Sequence, residues 1–134
     1  KARDLWQNPL LPPHLAVQAV MAGAAALVPV AAWLEADVVE PLAWIVAIAS
    51  AVHLLMFLGE VTLPHPTAHA RTAAHNLTRG RFARPFRAGV VLGAVGLLAP
   101  VAPVLALPAS LAALAGLWAF EHAYVQAGQS VPLA

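Results

Sequence analysis

Four long apolar runs, separated by short polar breaks, dominate this chain. They are LAVQAVMAGAAALVPVAAWL (Leu15 to Leu34), PLAWIVAIASAVHLLMFLG (Pro41 to Gly59), PFRAGVVLGAVGLLAPVAPVLAL (Pro85 to Leu107) and PASLAALAGLWAFEHAYV (Pro108 to Val125). Each has about the 17–25 residues that a membrane-spanning helix needs. None carries the polar stripe of an amphipathic soluble helix. The pattern predicts an all-α fold, an integral membrane four-helix bundle with spans at about 15–34, 41–59, 85–107 and 108–125. Pro41 and Pro108 sit where a first helical turn accepts proline. Pro29, Pro100 and Pro103 fall inside spans and should kink them, which membrane helices tolerate. Gly89, Gly93 and Gly96 give the third span small residues at near-helical spacing, a face suited to close packing.

The longest polar break, from Glu60 to Arg84, has its own pattern. Thr67 can cap a short helix through Ala68, Ala70, Ala73, Ala74 and Leu77, with Gly80 as terminator. Alanines on one side and Arg71 and His75 on the other predict a short amphipathic helix lying along the membrane surface between spans two and three.

Composition agrees with lipid as the solvent. The 134 residues are 61% hydrophobic and only 10% charged, against about 25% charged in a typical soluble domain. The absence of cysteine removes disulfides, thiolate metal sites and cysteine-ligated iron–sulfur clusters. A net charge of +1 does not call for nucleic acid, and only Phe82 and Phe86 near the basic loop could stack on bases. Asn76-Leu77-Thr78 matches a glycosylation acceptor, but a cytoplasmic loop is not modified.

The placement of charge is more informative than its sum. Lys1 and Arg3 precede span one, and Arg71, Arg79, Arg81, Arg84 and Arg87 lie between or just inside spans two and three. Glu35, Asp37 and Glu40 occupy the connection between spans one and two, and an uncharged turn at Leu107–Pro108 joins spans three and four. Basic residues gather in cytoplasmic segments, so both termini and the basic loop are expected in the cytoplasm.

Histidines and carboxylates supply the candidate chemistry. His65 and His69 are four apart, the spacing that puts two imidazoles on one helix face. Pro66, however, biases His65 out of helical geometry, and Glu60 is the only acid nearby, so no metal site is expected. His53 lies within span two, and Glu60, seven residues on, shares its face. Glu121 and His122 lie near the same end of span four, while Arg87 opens span three and His14 opens span one. Ionisable groups inside spans are functional candidates by default, and His53, Glu60, Glu121 and His122 are the proton-path candidates. Beyond His53, span two offers only Ser50, so a complete path needs water or another subunit.

Several segments resemble the NrfD-like family, the membrane subunits of polysulfide reductases. RDLWQNPLLPP, running into a small-residue helix, is similar to the start of a mid-protein span. GEVTLPHPTAHARTAAHNLTRGRF followed by FRAGVVLGAVGLLAPV is similar to the next loop and span, and AYVQAGQSVPLA to the C-terminal tail. The resemblance implies a membrane subunit of a quinone-linked respiratory oxidoreductase in the inner membrane of a prokaryote. It implies quinone or menaquinone in the complete subunit and no covalently bound cofactor. The partners it implies are an iron–sulfur subunit, a molybdopterin or multihaem subunit, and an N-terminal half-bundle that this chain would complete as the second half. A proton-conducting role for that second half is also implied. The residues matched carry no motif for the family's quinone pocket. Two other classes fit the same spans: a transporter or channel half-bundle, and an anchor or assembly subunit without chemistry.

Overall fold

The computed structural model describes residues 4–132, and every regular element there is helical. Five α-helices follow one another: α1 (Leu11–Leu34), α2 (Val39–Thr62), α3 (Ala68–Thr78), α4 (Ala83–Val95) and α5 (Pro103–Gln129). Short 3-10 turns lie at Asp4–Gln7, Ala36–Val38 and Gly96–Leu98. Lys1 and Arg3 lie outside the described residues.

α1, α2 and α5 are long and apolar enough to cross a membrane. Their outward faces suit lipid: Trp33, Val104 and Trp118 are 86%, 79% and 73% exposed, and extended exposed apolar surface marks a membrane or protein contact. The inward faces are built of small residues. On α5, Ala106, Ala109, Ala113, Gly116, Ala123 and Ala127 are buried, which lets neighbouring backbones approach closely.

The third apolar run behaves differently from the expected single span over 85–107. Its helix ends at Val95, continues as the Gly96–Leu98 turn, and breaks over Ala99–Ala102. α4 alone rises about 20 Å, short of the ~30 Å hydrocarbon core. The break therefore lies at Pro100 and Pro103 rather than at Leu107–Pro108. Proline disfavours helical geometry at the residue before it; Ala102, before Pro103, has φ −153° and ψ 146° and starts α5 there. Pro108, expected at a first helical position, sits inside α5 instead. α1 and α2 also run beyond the apolar runs, with prolines in the first turn of α1.

Pairings between helix ends set the directions. His14, near the start of α1, meets Glu60, near the end of α2, so the two run antiparallel. Gln18 of α1 meets Glu121 late in α5, which makes α5 antiparallel to α1. Gly89 lies against Phe120 and Gly96 against Ala113, so α4 is antiparallel to α5. α3 forms where Thr67 caps it, accepting from the Ala70 amide at 3.0 Å. It buries Ala70, Ala73, Ala74 and Leu77, with Leu5, Phe82 and Phe86 in the same cluster as Ala73 and Leu77. Gly80 closes the turn after it, where a Cβ would fall 2.7 Å from the Asn76 backbone.

Candidate functional site

Three polar side chains meet inside the helices near the α3 end. His14 comes from the first turns of α1, where its neighbours on the buried stripe are Gln18, Met21, Ala25 and Val28. His53 and Glu60 come from one face of α2, two turns apart. His14 is central: its Nδ1 lies 3.0 Å from Glu60 Oε1, and its Nε2 lies 2.7 Å from His53 Nδ1. All three are at least 95% buried. His53 and Glu60 thus belong to one line without touching each other, and the link between them is a histidine from another helix.

Aromatic rings close the line on its sides. Phe120 of α5 packs edge-on to His53 with ring centroids 4.8 Å apart, and sits 5.8 Å from His14. Phe57 and Phe86 pack behind it. Tyr124 donates its hydroxyl to the Leu5 carbonyl at 3.2 Å, pinning the Asp4–Gln7 turn beneath.

One end of the line reaches a hollow of mixed polar and apolar lining. A cavity of about 290 Å³ is lined by Glu60 together with Asp4, Asn8, His65 and Thr67. Glu60 Oε2 meets no protein partner. The carboxyl group therefore lies between this recess and the buried imidazoles.

The remaining candidates make no hydrogen bond to this line. Glu121 accepts a 2.6 Å hydrogen bond from Gln18 Nε2 and is half-buried. His122 is exposed, stacked on Trp118 with centroids 5.8 Å apart. Neither joins the Glu60–His14–His53 line. His14 was visible in the sequence as an intramembrane ionisable group but stood outside the proton-path candidates, and Gln18 and Ser110 had no sequence signal beyond being polar in an apolar run. Among the described residues no three histidine or acidic side chains converge on a point that could hold a metal ion; the three in the line are strung out, not convergent.

A quinone ring needs polar groups at its carbonyls as well as an apolar slot. The groove between α1 and α2, about 360 Å³, is lined only by alanine, valine and isoleucine, including Val17, Val20, Ile48 and Val52. It does not fit a quinone head group. The charged ends differ sharply: Arg71, Arg79, Arg81, Arg84 and Arg87 are exposed at the α3 end. None of them meets a carboxylate among the described residues. Glu35, Asp37 and Glu40 are exposed at the other end.

No family model, curated protein or solved structure matches this chain.

Proposed function

We propose that this chain is a membrane subunit of a quinone-linked respiratory oxidoreductase complex, in which it carries protons and contacts partners while electrons move elsewhere in the complex. In this reading α4 with its 3-10 extension is the fourth, shorter crossing. The arginine-rich end and α3 face the cytoplasm. The NrfD-like sequence segments support the family, and one observation carries the proton role: the buried Glu60–His14–His53 line, whose Glu60 lines a cavity shared with Asp4, Asn8 and His65.

The line suits directional hopping. With Glu60 protonated, its Oε1–H donates to His14 Nδ1, and His14 Nε2–H donates to His53 Nδ1. A concerted shift moves the Glu60 proton onto His14 Nδ1 and the His14 proton onto His53 Nδ1, while His53 passes its Nε2 proton to a water molecule, which becomes hydronium. Afterwards His14 Nδ1–H donates to the carboxylate, and His53 Nδ1–H donates to His14 Nε2. Both bonds of the line are kept in either state, so the proton moves without breaking the line. Histidine suits this work because each ring nitrogen can hold or accept the proton. Reset requires a fresh proton at Glu60 and return of the tautomers.

The experiment is purification of the chain with its native partners, followed by quinol-linked turnover and proton uptake. Iron–sulfur or haem subunits should copurify, and Glu60→Gln, His14→Ala and His53→Ala should each reduce proton uptake while the complex stays assembled. A chain that purifies alone and catalyses solute flux in liposomes would establish the transporter class instead.

A further inference from the structure

Beyond His53, towards the acidic end, two hydroxyls lie in the core: Ser50 of α2 and Ser110 of α5. Both are fully buried, and neither meets a protein partner. That departs from this molecule's own habit. Thr62, Thr72 and Thr78 each donate to the carbonyl four residues back, at 2.6, 3.0 and 2.8 Å, the usual outcome for a helical hydroxyl.

The two serines share one seam. A Cβ built on Gly96 would lie 2.5 Å from Ser50 Oγ and 3.0 Å from the Ala113 Cβ. Ala113 is one turn along α5 from Ser110, so both hydroxyls belong to the layer where α2, α5 and the Gly96–Leu98 turn meet. Small neighbours, Ala109 and Ala113 among them, line this layer. Ser50 is one turn from His53, a rise of about 4.5 Å. On the other side a cavity of about 600 Å³ opens at the acidic end, lined by Asp37, Glu40 and Pro100 and reaching in to Ala43 and Ala106. Ala106 is one turn from Ser110, about 6 Å. These are axial rises between Cα positions, and a water with two hydrogen bonds of about 2.8 Å each links polar atoms up to about 5.6 Å apart.

We propose that Ser50 and Ser110 carry the proton line onward from His53 through bound water to the vestibule at Asp37 and Glu40, so that this chain conducts protons from one membrane face to the other. The proposal rests on the Glu60–His14–His53 relay. Each water and hydroxyl accepts one proton on a lone pair and releases another. One proton enters at Glu60 for each that leaves at the acidic vestibule, and no electron moves.

The test is the full chain in proteoliposomes holding a pH-sensitive dye, with proton flux driven by a potassium diffusion potential. Wild-type protein should conduct above protein-free vesicles, and the Ser50→Ala/Ser110→Ala double variant should lose most of that flux. Its thermal midpoint should not fall, since alanine removes only hydroxyls that bond to no protein group. Flux that Glu60→Gln abolishes but the double variant retains overturns the serine exit and leaves the relay standing. Absent wild-type flux, with one-sided proton uptake still sensitive to Glu60→Gln, does the same. Flux or uptake indifferent to Glu60→Gln overturns the relay and the exit together. Water-edited solid-state NMR in bilayers gives a readout independent of flux: rapid magnetisation transfer from water to Ser50 and Ser110 supports the route, and a dry seam overturns it.

Discussion

At the scale of single residues, His14 bears the greatest weight. It makes both hydrogen bonds of the buried line, one to a carboxyl group and one to an imidazole. His14→Ala removes both at once and leaves Glu60 and His53 each buried without a partner, at about 1–3 kcal/mol for each group. His53→Ala removes only one bond and leaves Glu60 paired, at a cost of about 1–3 kcal/mol. Unfolding in detergent should therefore rank His14→Ala well below His53→Ala, and equal losses would show that His14 does not hold Glu60. The sequence placed His53 and Glu60 on one face because periodicity acts within a helix. It could not show that His14 comes between them, because that contact is set by packing of α1 on α2. The neighbours Glu121 and His122 point about 100° apart on a helix, so only one can face inward. Glu121 reaches Gln18 and His122 turns out to Trp118, a division that depends on the rotation of α5, which apolar composition all round the helix does not reveal.

At the scale of elements, apolar length and charge were legible, and helix breaks were not. Three long helices and the Thr67-capped α3 follow from apolar length and capping chemistry. The Ala99–Ala102 break was hidden because Pro100, Pro103 and Pro108 all look alike inside one apolar stretch, and helix-end geometry decides which of them interrupts it. The glycines of the third run do pack closely. A Cβ on Gly116 would fall 2.6 Å from the Gly93 amide nitrogen and 2.9 Å from the Gly89 carbonyl. These are backbone atoms, which cannot swing aside as a side-chain tip can. Gly116→Ala should push α4 off α5 and destabilise by about 1–3 kcal/mol, the usual cost of overpacking. Gly23 is the internal control, with nothing within 4 Å of its Cβ position. Gly23→Ala should be neutral or stabilise by about 0.5–1 kcal/mol through helix propensity. Thermal unfolding of the two variants side by side decides it; equal shifts would mean that α4 does not depend on that close approach.

At the scale of the whole molecule, the question is which ends share a membrane face. The exposed arginines cluster about α3, and the exposed acids lie at the α1–α2 turn. The cavity lined by Asp37 and Glu40 is also lined by Ala99, Pro100 and Ala102, so the α4–α5 break lies beside the acidic turn. That shared cavity is what α4 needs to count as a crossing despite its length: the 3-10 turn adds about 6 Å to its ~20 Å rise, and ends beside a segment that follows a full span. The cysteine-free sequence makes the arrangement directly measurable. Single variants Arg79→Cys, Asp37→Cys and Pro100→Cys can be treated with a membrane-impermeant maleimide in spheroplasts and in inverted vesicles. Positive residues favour the cytoplasm, so Arg79→Cys should react only in inverted vesicles. Asp37→Cys and Pro100→Cys should both react only in spheroplasts. Reaction of Pro100→Cys from the Arg79 side, or from neither side, would leave α4 as a partial insertion and the chain with three crossings. It would also remove the water access that the serine exit needs, because Pro100 lines the vestibule into which that exit leads. A common side for Asp37 and Pro100 is therefore the condition on which the fourth crossing and the complete proton route both depend.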